Sequence, residues 1–145
     1  MRRLMLAVCA LAIPMSLAAV GLGGSAGASP PVSCTKVTGT ATGNITLKGC
    51  SAGLGKGSAP ASTLLVTGSG TITWKGKHKG TTTVSVTVTT PVTSACKTGS
   101  TEYDATGTVT ADTSGKVVVS STVSDKACVS GTGKVSLVKH TVFTL

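Results

Sequence analysis

The sequence predicts an all-β domain, and three observations carry that expectation. After Ser29-Pro30-Pro31 the chain alternates with period two almost to its end, and no helical stripe of any length appears. Thr and Val dominate, and their branched Cβ atoms suit a pleated surface better than a helix. Turn residues cut the alternation into about eight short segments. We expect a single antiparallel β-sandwich over residues 29–145, with a closed β-barrel as the alternative.

Residues 1–28 read as a signal peptide. Arg2-Arg3 precede an uncharged run from Leu4 to Leu22, and Ala26-Gly27-Ala28 supplies the small-x-small pattern that signal peptidase needs. Pro14, Gly21, Gly23 and Gly24 argue against a membrane anchor, so cleavage is expected after Ala28. The expected destination is secreted or cell-envelope-associated. Cys9 leaves with this leader. Cys34, Cys50, Cys96 and Cys128 remain, an even set that implies two disulfides in an exported chain. No cysteine pair has short ligand spacing, and His78 and His140 stand alone, so neither metal nor cofactor is expected.

The elements follow from parity. Pairing Val37 with Leu47 and Gly39 with Ile45 leaves Ala41-Thr42-Gly43 as a three-residue loop, with Gly43 where φ > 0 is needed. Residues 51–62, rich in Gly, Ser, Ala and Pro, read as a surface loop. Gly70 to Lys75 and Thr81 to Thr90 form the next hairpin, with Ile72 and Val84 on one face and an odd loop centred on His78. Val84, Val86 and Val88 make its clearest buried face, and Pro91 ends it. In residues 101–125, pairing Val109 with Val119 and Ala111 with Val117 leaves Thr113-Ser114-Gly115 as the loop. Asp112 then faces Lys116. Lys134 to Lys139 and His140 to Phe143 form one closing strand. Thr-Gly-Thr, at 38–40 and 106–108, marks strand positions where a neighbour packs closely.

Register also bears on the disulfides. The pairing of Val37 with Leu47 sets Cys34 opposite Cys50, within bridging reach, on the polar face of the hairpin. Cys96 and Cys128 flank the 101–125 hairpin and pair by elimination, with a bend at Gly99.

The formal net charge is +9, and the chain beyond residue 28 has eleven Lys, no Arg and four carboxylates. The densest chemistry is Trp74-Lys75-Gly76-Lys77-His78-Lys79-Gly80. Lys75, Lys77, His78 and Lys79 form a candidate anion-binding tip for an acidic envelope polymer or a lipid surface. The plainer alternative is a solvated hairpin end whose lysines discourage edge pairing. Nucleic acid is not expected, since bidentate Arg and a row of stacking aromatics are missing.

Catalytic patterns are poor. Asp112-Thr113-Ser114-Gly115 departs from an aspartic-protease motif by its inserted Ser. Glu102 and Asp104 lie two apart on one strand, a spacing that suits glycoside hydrolysis or cation binding. With few aromatics to build a sugar cleft, they read as solvent-facing charges beside Tyr103. No Gly-x-Ser-x-Gly elbow occurs, and Gly53 to Ser58 lacks the Lys-Ser/Thr of a phosphate loop.

Ser33-Cys34-Thr35, Thr71-Ile72-Thr73-Trp74, Gly99-Ser100-Thr101-Glu102-Tyr103 and the Gly-rich Thr/Val hairpins give the chain a family likeness. It resembles a group of small exported, uncharacterised β-rich proteins of actinobacteria. That resemblance implies export and a β fold and transfers no activity. The expected function is an exported non-enzymatic binding or structural domain. The alternatives are a secreted protease inhibitor presenting Lys97 beside a disulfide and a small hydrolase using Glu102 and Asp104.

Overall fold

The structure, a computed structural model, describes residues 29–145; the signal-peptide assignment lies outside the described residues. Nine strands follow one another: β1 (Ser33–Thr40), β2 (Asn44–Cys50), β3 (Gly55–Pro60), β4 (Gly68–Lys75), β5 (Lys79–Thr89), β6 (Ser100–Asp112), β7 (Thr122–Ser130), β8 (Lys134–Leu137) and β9 (Phe143–Thr144). A single helical turn, α1 (Ser62–Leu65), joins β3 to β4. Each strand pairs antiparallel with its successor from β1 to β8, and β8 returns to pair with β1. The sheet therefore closes on itself as an eight-stranded up-and-down barrel, with β9 lying in line with β8 between β7 and β1. Of the two architectures expected, the barrel is the one adopted. A meander in which each strand neighbours the next needs no crossing between sheets, and closure joins the first strand to the last.

Eight strands enclose a space just wide enough to be filled by side chains. Val37, Ile45, Leu47, Ile72, Trp74, Val84, Val86, Val109, Val123 and Phe143 fill it. Leu64, on α1, is fully buried and closes the upper mouth, where α1 touches β4 through β7. Leu54, Val117 and Leu145 are buried at the lower end. There Val32 and Leu145 exchange backbone hydrogen bonds of 3.0 and 2.8 Å.

The first hairpin keeps its predicted register, Val37 opposite Leu47 and Gly39 opposite Ile45. Gly43, however, does not take a positive φ; a Cβ there would meet only Thr40 Oγ1, at 2.6 Å, and rotation of that exposed side chain relieves the contact. Both Thr-Gly-Thr glycines meet a neighbouring backbone: Cβ atoms at Gly39 and Gly107 would collide with the carbonyls of Asn44 and Ser85.

Four expectations about the course of the strands need correction. Residues 51–62 are not a surface loop: β3 runs through them, and Leu54, Ala59 and Ala61 are core residues. Small residues face inward here because Trp74 fills the barrel beneath them, and a Cβ on Gly57 would stand 2.6 Å from Trp74 Cζ3. The β4–β5 loop is odd, as expected, but centres on Lys77, since Lys75 pairs with Lys79. The 101–125 hairpin is displaced: Thr108 pairs with Thr122, and residues 113–121 form a long loop. A bulge at Thr110 reverses the parity of β6, turning Ala111 outward and Asp112 toward Thr82. Finally, the closing strand is split by Val138–Val142, where His140 adopts φ 66°.

Both disulfides, Cys34–Cys50 and Cys96–Cys128, are present. The first is not on the polar face. Gly49 (φ 63°) and a register shift between Lys48 and Cys50 turn the strand, so both cysteines are buried.

Candidate functional site

Turns at the lower end bring basic residues together. The β4–β5 turn presents Lys75, Lys77, His78 and Lys79, and its three lysines are exposed. Lys75 and Lys79 stand directly opposite each other at the mouth of the hairpin, an arrangement that like charges disfavour. The lower parts of β2 and β3 add Lys48 and Lys56, also an opposed pair. The 113–121 loop adds Lys116.

A buried polar chain fixes that loop. Trp74 Nε1 donates to Thr82 Oγ1 at 2.7 Å, and Thr82 Oγ1 donates to Asp112 Oδ1 at 2.6 Å. The Asp112 carboxylate also accepts from Ser114 Oγ at 2.9 Å and from the N–H groups of Lys116 and Val117 at 3.2 and 3.4 Å. Partial burial works to raise its pKa, but the bonds from Thr82, Ser114, Val117 and Lys116 outweigh this and hold it below the usual carboxylate range. The expected pairing of Asp112 with the Lys116 ammonium does not form; the backbone of Lys116 takes the carboxylate instead. Thr113 stitches the loop to β5, its N–H donating to the Thr81 carbonyl and its Oγ1 accepting from the Thr81 N–H, both at 2.8 Å.

His78 is half-buried beside Gly53, whose Cβ, were there one, would meet the imidazole at 2.9 Å. Desolvation lowers its pKa from the ordinary value, and the charges of Lys116 and Lys77 lower it further. Both effects favour the neutral imidazole, so the group responds to the charge around it. Among the described residues Asp112 is the one acidic side chain at this end, and its lone pairs are already in use.

The other candidates are arranged differently. Glu102 is not solvent-facing: it is 3 % exposed, and it accepts a hydrogen bond from the Ala95 N–H in the 90–99 loop. Lys126 Nζ lies 4.0 Å from Glu102 and 3.2 Å from Asp104, so the two carboxylates converge on one ammonium group. Lys97 is exposed beside the Cys96–Cys128 bridge, and its carbonyl accepts the Ser100 N–H at 3.0 Å, which closes a tight turn. Among the described residues no three His, Cys, Asp or Glu gather as a metal site would require. Comparison with family models, curated proteins and solved structures finds no match for this chain.

Lys48, Lys56 and Lys116 were not singled out by sequence motif. Their shared end of the barrel becomes visible only from the strand directions and from the loop that Asp112 holds.

Proposed function

We propose that the protein is an exported, non-enzymatic binding domain, secreted or held at the cell envelope, that engages an anionic polymer or lipid surface through its basic lower end. Lys75, Lys77, His78 and Lys79 form the centre of this surface, with Lys48, Lys56 and Lys116 around it. One observation carries the reading. Lysines on a strand edge discourage unwanted pairing, but a closed barrel has no edge to protect. Opposed lysines therefore cost stability here without that return, and a bound anion supplies the missing counter-charge.

The two alternatives have less geometric support. A protease inhibitor presents an extended segment to the enzyme, whereas Lys97 opens a closed turn. A carboxylate hydrolase needs two acidic groups facing substrate, whereas Glu102 and Asp104 face Lys126.

Retention on an anionic matrix tests the proposal. It should fall steeply between low and physiological salt, since exposed charges are screened over about 8 Å at physiological ionic strength. Substituting Lys75, Lys77 and Lys79 together by Gln should abolish most of it. A soluble polyanion should also raise the His78 pKa, read by NMR, because a nearby negative charge favours imidazolium. Unchanged retention in the triple variant would dispose of the reading.

A further inference from the structure

The lysines do more than share one end of the barrel: they stand abreast. Lys36 on β1 is directly opposite Lys48 on β2, and Lys48 is directly opposite Lys56 on β3. β3 pairs Gly57 with Trp74, so the next step of that register sets Lys56 beside Lys75 on β4. The approach of Gly55 to Gly76 one step further on agrees with this alignment. Lys75 in turn is opposite Lys79 on β5. All five side chains are exposed. Five neighbouring strands thus carry five lysines in one lateral row, with no acidic residue between them.

Adjacent strands are about 4.8 Å apart, so the row covers roughly 19 Å of wall. It is also curved. β1 and β5 are four places apart in a ring of eight, on opposite sides of the barrel. Strand tilt in such barrels makes a lateral row climb around the wall rather than circle it. A plane laid against the wall touches only one side of the barrel, so a flat bilayer docked there engages only part of the row, and a stiff duplex meets the same limit. A thin chain that bends can follow all five ammonium groups. Base recognition has no support: Trp74 and Phe143 are buried in the core, and Arg is absent beyond the leader.

Building on the basic-end reading, we propose that the row Lys36–Lys48–Lys56–Lys75–Lys79 is a track for a flexible linear polyphosphate-type chain, laid across the strands around half of the barrel. The shared chemistry is a succession of phosphates on a bendable backbone, whether inorganic polyphosphate or a polyol-phosphate polymer of the envelope. The track differs from the hairpin tip in one decisive respect. It requires Lys36 and Lys48, which lie outside the tip and which tip binding does not need.

The test uses residues 29–145 with inorganic polyphosphate of graded length, a glycerol-phosphate polymer, a single-stranded oligonucleotide and anionic phospholipid vesicles as probes. Affinity should rise with polyphosphate length until the chain spans the row, then level off. Lys48→Glu is the informative variant. It sits between Lys36 and Lys56, so the new carboxylate gains two opposed ammonium partners. Its Tm without ligand should rise, which removes misfolding as an explanation, while affinity for long polyphosphate drops by at least tenfold. Lys36→Gln should lower the slope of log K against log salt by about 0.7, the value of one released counterion on a single-stranded polyanion.

If Lys36→Gln and Lys48→Glu leave polyphosphate affinity unchanged while Lys77→Gln weakens it, the track is wrong and the basic tip stands. If no polyanion or vesicle binds at low salt, the basic-end reading itself falls. Equal affinity for tripolyphosphate and long chains, or tighter binding to vesicles or to the oligonucleotide, would also overturn the track. Preference for the glycerol-phosphate polymer over inorganic polyphosphate at equal phosphate would assign the source to the envelope, and the reverse would assign it to inorganic polyphosphate; both support the track.

Discussion

Asp125 is the residue whose environment most opposes its chemistry. It points into the barrel between Val123 and Ala127, is 2 % exposed, and neither carboxylate oxygen has a hydrogen-bond partner. Desolvation raises its pKa to about 7; the Lys126 backbone N–H, near the carboxylate but outside hydrogen-bonding geometry, opposes the rise, and the charge of Asp104 adds to it. Folded protein therefore holds a proton here that the unfolded chain releases near pH 4. Since the native state binds more protons in that window, stability falls as pH rises from about 4 to about 7 and levels off above it. A shift of this size corresponds to roughly 4 kcal/mol across the window. Asp125→Asn should flatten that part of the profile and make the protein more stable than wild type at pH 8. Urea unfolding at pH 4 and pH 8 measures both. An unchanged slope would mean that Asp125 ionises freely in the fold. Asp112 contributes with the opposite sign: its pKa is held down, so its stabilisation is present above the unfolded value and is lost on further acidification.

At the scale of elements, what could be read from sequence divides along a physical line. The first hairpin alternates between Val37 and Leu47, and its register and the Cys34–Cys50 pairing follow from that stretch, although alternation breaks at Gly49 and buries both cysteines. The 101–125 register slipped because a bulge at Thr110 changes parity without any Gly or Pro to announce it. Asp112 then bonds locally to Ser114, Lys116 and Val117 instead of extending the strand, a competition that alternation does not show. β3 escaped notice for another reason. Composition marks Gly55–Pro60 as loop, yet its residues are small because a tryptophan two strand positions from the β4–β5 turn occupies the volume they leave. The anion-binding candidates divide likewise: the Lys75–Lys79 tip is contiguous and legible, whereas Lys56 and Lys116 join it through a strand that composition hides and a loop that alternation hides. The tight fit of β3 can be tested with Gly57→Ala. Its methyl would meet Trp74 at 2.6 and 2.8 Å and Ile72 Cγ2 at 3.0 Å, so overpacking should cost about 1–3 kcal/mol. The chain has one Trp, so its fluorescence should report the displaced indole and the strained bond to Thr82. Wild-type stability and emission in the variant would show that β3 can move away.

For the whole molecule, the question is what keeps a barrel closed whose core is mostly Val and Ala. β1 and β8 share three paired positions, Thr38–Thr40 with Lys134–Ser136, so the seam relies on help at its lower end. There Cys34 pairs with Phe143 of β9 and is bonded to Cys50 of β2, joining three strand positions at one point. The second bridge lies elsewhere, holding the 90–99 loop to β7 through Cys96 and Cys128. Chain entropy alone ranks them by loop length. With separations of 16 and 32 residues, the bridges should contribute about 3.1 and 3.7 kcal/mol. Burial reverses the order. Cys34 is fully buried and Cys50 nearly so, whereas Cys96 and Cys128 are only half-buried. Replacing the first pair by Ala removes two sulfur atoms from the packed core as well as the cross-link, and the cavity adds its own cost. Replacing the second pair loses the cross-link and frees a loop on the outer wall. Cys34→Ala/Cys50→Ala should therefore be the more destabilised double variant, by at least about 1 kcal/mol despite its shorter loop. It should also lose hydrogen-exchange protection along the β1–β8 seam, which Cys96→Ala/Cys128→Ala should retain. Chemical unfolding of the two variants side by side decides it: the reverse order would show that loop closure, and not the buried lower end, governs the stability of this barrel.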